Sequence, residues 1–338
     1  MNYKMFINEV VEKITKVFNE GVGGYNVSVN HIMKNNGIQL DGLLIHKEGQ
    51  KIAPNIYLNG YYTKYRNGAS MDSIINDILE LYYNSSECEF VGQFDLDFEY
   101  ENIKDSIVYK VINFKQNIEM LKTIPYIKIL DLAIIFQCNV NTSDEALASI
   151  RINNRHCKSW GITTSELLCI AASNTPRLFP CVIRRIEDVM KDLITKGGLD
   201  LLEGMSDFNI SNMVMDDDSY YYTDSNVDAD VLDEMINRVS LSNAFDMYVF
   251  TNAYGINGAS VMMYNGVLER FAKRLDKDLI VIPSSIHEII VIPKCKDWDA
   301  DGLRDMVREI NSTQVPIEDI LSNSIYTYSR KQNALLLV

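Results

Sequence analysis

Apolar residues near the N-terminus recur at the three- and four-residue spacing of an amphipathic helix between Phe6 and Phe18. Three shorter runs of strand-like composition follow, and the turn-type segments KNNG and EGQK separate them. A second helical stripe then extends from Met71 to Tyr82. We therefore predict an α-β-β-β-α unit, with an antiparallel meander, over residues 1–85.

Residues 86–196 are predicted to form a central α+β unit. The segment FDLDFEYE alternates strictly between apolar and acidic residues, so a strand over Phe94–Glu101 would carry its carboxylates on one face. Apolar spacing predicts a helix over 103–118, and the runs IKILDLAIIFQ and ALASIRIN predict neighbouring buried strands. The segment TTSE is a capping box that opens a helix after Thr163, and Pro176 and Pro180 are expected to end that helix.

The segment 197–242 is rich in acidic residues and tyrosine and poor in aliphatic residues, and we interpret it as a connector. A C-terminal α+β unit then covers 243–338, with strands at FDMYVFTN and GASVMMY, a helix, the apolar run DLIVIPSSIHEIIVIP, a second helix and two short strands. The predicted fold class is α+β, built from repeated antiparallel β-meander plus helix units in two or three subdomains.

The composition narrows the class of protein. The chain has 338 residues and a net charge of −14, which disfavours direct binding to nucleic acid and docking on anionic membranes but permits a basic protein partner. It contains no uncharged apolar run that could span a bilayer, and its six cysteines form no C-x-x-C pair. The amphipathic, acid-containing N-terminal segment is not expected to be a signal peptide. We therefore expect a cytoplasmic protein without a disulfide framework.

The run PSSIHEIIVIP contains the candidate catalytic residues, which are Ser284, Ser285, His287 and Glu288. Val291 stands where the zinc motif HExxH needs its second histidine, and no G-x-S-x-G elbow surrounds the serines. In a strand, His287 and Glu288 would point to opposite faces. The alternative is that both are strand residues that satisfy local hydrogen-bonding needs.

The segment DWDADGLRD has the spacing of a calcium loop at Asp297, Asp299, Asp301 and Gly302, but Arg308 occupies the position of the closing glutamate. We therefore predict an acidic helix N-cap rather than a metal site. No metal or other cofactor is predicted for the chain.

Acidic and aromatic residues outside these motifs are candidates for a protein-interaction surface. The alternative for the acidic strand is a solvated face whose charges prevent pairing at an edge. The candidate interaction residues are Asp95, Asp97, Glu99, Glu101, Asp216, Asp217, Asp218, Tyr220, Tyr221 and Tyr222.

Several segments carry a resemblance to a known family: KNNGIQLDGLLI, IAPNIYLNGYYTKY, INNRHCKSWGIT with ELLCIAASNT, FDMYVFTN, and VIPSSIHEIIVIP. The chain resembles, from about Asn2 to Tyr328, a domain-of-unknown-function family of anaerobic gut Firmicutes and their mobile elements. Its C-terminal part is also distantly similar to the YtpQ-type family. The resemblance implies no catalytic residues, and it suggests PSSIHE as the first place to look for a site.

Three functional hypotheses follow. The leading one is a protein-interaction module with an acidic surface, which acts on a basic nucleic-acid-handling partner in a mobile-element or anti-defence role. The second is an enzyme, most simply a hydrolase, in which Asp131 or Asp246 supplies a carboxylate to His287. The third is a scaffold with neither property.

Overall fold

We analysed the protein in a computed structural model, which describes residues 1–20, 24–48, 55–87, 98–143, 146–195, 247–283, 285–296 and 298–338. The chain divides into two compact units, Met1–Phe98 and Glu99–Val338, each with its own helices and antiparallel strands. The predicted α+β class is confirmed.

The N-terminal unit is a three-stranded antiparallel sheet, in the order β1-β2-β3, with helices packed on one face. Its elements are α1 (Tyr3–Asn19), β1 (Tyr25–Met33), β2 (Gln39–Lys47), β3 (Asn55–Tyr57), α2 (Leu58–Arg66) and α3 (Met71–Glu87). The KNNG segment makes the β1–β2 turn, where Asn36 and Gly37 both have positive φ. The sequence did not predict α2, which begins directly after the last strand.

The helical stripe of α1 forms the centre of this unit. Phe6, Val10 and Ile14 are fully buried, at the four-residue spacing that places side chains on one face of a helix. They pack with Leu43 of β2 and Ile78 of α3 in one apolar cluster. The hydrophobic pattern alone therefore explains why these elements pack together.

The C-terminal unit contains two antiparallel sheets. Its elements, in chain order, are α4 (Tyr100–Ile103), β4 (Ile107–Asn113), α5 (Ile118–Leu121), β5 (Tyr126–Ile129), β6 (Leu132–Ser143), β7 (Ala146–Arg151), α6 (Asn154–Trp160), α7 (Thr164–Leu178), β8 (Cys181–Arg185), α8 (Ile186–Thr195), β9 (Tyr248–Asn252), α9 (Val267–Leu275), β10 (Leu279–Ile282), β11 (Ile289–Pro293), α10 (Ala300–Thr313), β12 (Tyr326–Ser329) and β13 (Ala334–Leu337).

The larger sheet has the strand order β13-β12-β10-β11-β9-β8. One face presents Leu279, Val281 and their neighbours to the main core, which includes α9. The other face presents Ile280 and Ile282 to α10. Strands from both sides of residues 196–246 thus share one sheet, whereas the sequence analysis placed them in separate central and C-terminal units.

The smaller sheet has the order β4-β6-β5, and β7 pairs with the far end of β6. The predicted helix over 103–118 is wrong, because Ile107–Asn113 forms strand β4. Six of the seven residues of β4 are buried, since one face contacts the main core and the other face is covered as well. A strand buried on both faces lacks the two-residue alternation by which strands are recognised.

Side chains from outside the sheet cover the outer edge of β4. The Tyr109 amide donates to Thr175 Oγ1 at 3.0 Å, and the Val111 amide donates to Ser260 Oγ at 3.3 Å. Asn174 Nδ2 donates to the carbonyl oxygen of Ile107 at 3.0 Å. These bonds satisfy buried backbone groups that have no neighbouring strand.

Three further predictions were wrong in local structure. GASVMMY is a 3₁₀ helix at Gly258–Met263 rather than a strand, and it is buried on nearly all sides. Pro176 lies within the last turn of α7, where the helix loses one hydrogen bond to the carbonyl of Ala172, and the helix ends at Leu178, before Pro180. Of the acidic segment, Tyr100 and Glu101 lie in helix α4 and not in a strand, while Phe94–Asp97 lies outside the described residues.

Replacing Thr175 tests the covered edge of β4. Thr175→Val keeps the shape of the side chain but leaves the Tyr109 amide without an acceptor, which costs about 1–3 kcal/mol of unfolding free energy. Thr175→Ser keeps the hydroxyl and removes one methyl group, worth about 0.8 kcal/mol. Urea denaturation should therefore show Val to be the more destabilising change. Equal stability of the two variants would contradict this role for the hydroxyl.

Candidate functional site

The PSSIHE segment forms the connection between β10 and β11. The predicted strand position of His287 and Glu288 is wrong, because β10 ends at Ile282 and β11 begins only at Ile289. His287 and Glu288 therefore lie in a hairpin connection, and the argument that they must face opposite sides does not apply. Ser285 is buried, and its Oγ accepts from the His287 amide at 2.9 Å. Ser284 lies outside the described residues.

The His287 ring joins this hairpin connection to two other segments. Its Nε2 lies 3.2 Å from Asp319 Oδ1, and its Nδ1 lies 3.2 Å from the carbonyl oxygen of Gly255 and 3.4 Å from the Asn257 amide nitrogen. The side chain is 17% exposed. Both ring nitrogens are thus within hydrogen-bonding distance of protein groups.

Opposing effects act on the pKa of His287. Burial is the largest and lowers it, whereas the hydrogen bond and charge of Asp319, the charge of Glu288 and the Gly255 carbonyl raise it. The net effect is a raised pKa. The protonated ring then donates to both Asp319 and Gly255.

Further hydrogen bonds, which involve backbone groups, hold the β10–β11 connection against neighbouring segments. The Ile286 amide donates to the Asp319 carbonyl at 2.8 Å, and Thr251 Oγ1 donates to the His287 carbonyl at 2.8 Å. A Cβ on Gly258 would come within 2.3 Å of the His287 carbonyl oxygen, so only glycine fits at that position. This packing gives His287 a positioning role in the fold.

The carboxylates considered for His287 in the sequence lie elsewhere. Asp131 accepts from Ser322 Oγ at 2.5 Å and from the Tyr326 hydroxyl at 2.6 Å. Burial, together with the charge of Asp131, raises the pKa of Tyr326. Asp246 lies outside the described residues. Sequence reasoning missed Asp319, which stands 32 residues from His287 in the chain and belongs to no recognisable motif.

Most of the candidate interaction residues cannot be placed. Glu99 precedes α4, and Glu101 pairs with Lys104 Nζ at 2.6 Å on the exposed side of that helix. The remaining eight lie outside the described residues: Asp95, Asp97, Asp216, Asp217, Asp218, Tyr220, Tyr221 and Tyr222.

A groove of about 450 Å³, with both apolar and polar side chains in its walls, lies beside strand β5. Among its walls, Ile118 is 45% exposed and Tyr126 is 39% exposed. The lining residues are Phe114, Ile118, Leu121, Lys122, Ile124, Pro125, Tyr126, Asn154 and Thr164. A groove with exposed large apolar side chains is typical of a surface that binds another molecule.

The strand beside the groove has a free edge. β5 pairs with β6 through a two-residue turn, so Ile129 and Ile127 direct their backbone groups toward Leu132 and Ile134. The backbone groups of Tyr126 and Lys128 consequently point away from the sheet. Among the residues that the structure describes, none makes a hydrogen bond to them.

Aromatic and cationic side chains line the same face of β5. The ring centroids of Phe114 and Tyr126 are 6.0 Å apart, and Lys128 Nζ lies 4.4 Å from the centroid of Phe114. Lys122 Nζ, in contrast, pairs with Glu119 at 2.6 Å. The ammonium group of Lys128 forms no ion pair within the described part of the chain.

Sequence reasoning missed this groove because IKILDLAIIFQ looks like one buried strand. The structure divides it into β5 and β6, with a turn at Leu130, which has a φ of 54°. Leucine is an uncommon residue for that conformation. The available signal was Lys128, the one charged residue in the segment Ile127–Ile129, and this segment directly follows Pro125 and Tyr126.

The predicted acidic N-cap is confirmed, because Asp299 Oδ1 accepts from the amides of Asp301 and Gly302 at 3.1 and 3.0 Å.

In the described ranges, no group of three or more His, Cys, Asp or Glu side chains is placed to hold a metal ion. Within the same ranges, every helix is too short or too polar to cross a membrane.

The raised pKa of His287 gives a pH dependence to stability. The protonated His287 ring contributes fully to the free energy of unfolding below the pKa of about 6.5 that histidine has in the unfolded chain. This contribution is lost as the pH rises through the pKa of His287 in the folded protein. Asp319→Asn removes the charge that raises the pKa, so the wild-type advantage over this variant should shrink over the pH range above about 6.5 in which the folded ring loses its proton. Urea denaturation across this range measures it, with exposed Asp305→Asn as the control. A wild-type advantage over Asp319→Asn that does not change with pH would contradict the pairing.

Among known proteins, the chain matches a family model. No curated protein and no solved structure matches the chain. The model of a family of unknown function, DUF5688, matches residues 3–330. This confirms the expected uncharacterised domain family, whereas the gut Firmicutes origin and the YtpQ likeness stay predictions. The chain therefore belongs to the DUF5688 family of unknown function.

Proposed function

We propose that the protein is a protein-interaction module that binds an extended segment of a partner as an additional strand on β5. The observation that carries this proposal is the free backbone edge at Tyr126 and Lys128 beside a groove. In strand addition, backbone hydrogen bonds supply affinity and the pockets for alternate side chains supply specificity. The edge and the groove of this unit correspond to these two components.

The alternative explanation for Lys128 is protection, since lysine on an edge strand often prevents aggregation. The neighbouring surface favours binding instead. Lys128 lies over the Phe114 ring, and the exposed side chains of Ile118 and Tyr126 remain beside it. A purely protective edge has no use for a groove of about 450 Å³ with exposed Ile118 and Tyr126 side chains in its walls.

The acidic surface forms a second, separable part of the proposal. It would contact a basic nucleic-acid-handling partner in a mobile-element or anti-defence role, and the net charge of −14 supports this. We place the protein in the cytoplasm, in line with the free thiols of all five cysteines that the structure describes. Changing Asp95, Asp97, Glu99 and Glu101 together to Ser should abolish such a contact, and retention of every partner would count against it.

A hydrolase centred on His287 is the alternative function, and Asp319 within hydrogen-bonding distance supports it. A general base, however, needs a ring nitrogen that can reach the substrate. Here Gly255 and Asp319 engage both nitrogens, which supports a positioning role for His287 more strongly.

Substitutions at Lys128 test the proposed edge. Lys128→Pro removes only an outward-pointing N–H, because the pairing of β5 with β6 uses the neighbouring residues. Lys128→Ala keeps that N–H and removes the charge. Selection of a random twelve-residue peptide library on the purified protein should enrich extended apolar sequences. These peptides should bind the Ala variant and lose at least about tenfold in affinity for the Pro variant.

Unfolding curves of both variants provide the control, since each should keep the wild-type free energy of unfolding within about 1 kcal/mol. Peptides that bind the Pro and Ala variants equally would show that the backbone edge is not the binding element. Failure of the library to enrich any peptide on the wild type would remove the proposed function.

A further inference from the structure

We infer that the segment bound by β5 carries an acidic side chain two residues before a large apolar one, and that it runs antiparallel to β5. This inference rests on the proposed function. It concerns the chemistry of the partner, which the free edge alone does not specify.

The spacing follows from the register of the strand. Tyr126 and Lys128 are two residues apart, so their side chains lie on one face of the sheet and their backbone groups both point outward. In an added antiparallel strand, one residue lies opposite Lys128, and the residue two positions later lies opposite Tyr126. These two partner residues share the face on which the groove lies.

The negative charge inferred for the partner residue opposite Lys128 follows from the surroundings of the Lys128 ammonium group. The ammonium group lies over the ring of Phe114, one of the residues that line the groove. It has no carboxylate partner in the described part of the chain, whereas Lys122 is already paired with Glu119. Opposite charges on facing residues stabilise a pair of strands, and like charges destabilise it. A carboxylate opposite Lys128 is therefore the complementary group, even though the protein as a whole is strongly acidic.

The apolar position follows from the groove. A side chain opposite Tyr126 would extend along the Tyr126 and Phe114 rings toward Ile118 and Leu121. The exposed areas of Ile118 and Tyr126 would then become buried, which is the main source of hydrophobic stabilisation at this surface.

The antiparallel direction is chosen because antiparallel pairing is slightly more stable per residue and places residues directly opposite one another. It gives the order acid-x-apolar from the N-terminus to the C-terminus. Parallel addition would require the reverse order, so peptides with the two residues in opposite orders test the direction.

Four labelled ten-residue peptides with a common Thr/Ser/Val background test the inference by fluorescence anisotropy on the full-length protein. They contain Glu-x-Leu, Lys-x-Leu, Glu-x-Ser and the reversed order Leu-x-Glu. We expect Glu-x-Leu to bind most tightly and each other peptide to bind about three- to tenfold more weakly. The preference for Glu over Lys should decrease in 0.5 M salt, since the pair is exposed to solvent.

Lys128→Glu supplies the matched reversal, because it should favour Lys-x-Leu over Glu-x-Leu, while Lys128→Ala should bind the two alike. Equal binding of Glu-x-Leu and Lys-x-Leu to the wild type would overturn the charge inference and leave the proposed function standing. Tighter binding of Leu-x-Glu would overturn the antiparallel direction. Absence of binding by all four peptides, together with failure of the random library, would overturn both proposals.

Discussion

The need to pair backbone N–H and C=O groups at the edges of sheets determines the organisation of the C-terminal unit. β4 and β5 both lie at edges of the smaller sheet, and the chain treats the two edges differently. At β4, the hydroxyls of Thr175 and Ser260 and the amide of Asn174 take the place of a neighbouring strand. At β5, no comparable side chain occupies the outward groups among the described residues. A buried edge must be satisfied internally, whereas an exposed edge is satisfied by water or by a partner.

The same constraint explains why the conspicuous PSSIHE segment is a weak candidate for catalysis. A hairpin connection packed against a 3₁₀ helix buries backbone groups that no strand pairs. Ser285, His287 and Asp319 supply the missing partners, and Gly258 lets the two segments approach closely. A polar cluster inside an apolar run is therefore explained by hydrogen bonding within the fold. The chemistry of an imidazole beside a carboxylate is present, but its geometry is directed inward.

Sequence patterns were reliable where one face of an element is buried and the other is exposed. The stripe of α1, the meander after it and the capping box of α7 follow directly from spacing. The patterns failed where burial is nearly complete, as in β4 and in Gly258–Met263, because a uniformly apolar segment carries no period. The position of Asp319 beside His287 depends on tertiary packing, and no local signal specifies it.

The sequence did not predict the groove beside β5, because its apolar wall residues have the same pattern as core residues. Hydrophobic pattern identifies side chains that favour burial, but it does not distinguish burial in the chain's own core from burial against a partner. Tyr126 and Ile118 look like core residues in sequence and are exposed in the folded unit. Lys128 is the residue that separates the two cases, because a charged side chain between apolar ones marks an edge that stays in contact with water. An edge that keeps its charge, its aromatic neighbours and its free peptide groups together has the components that strand addition requires.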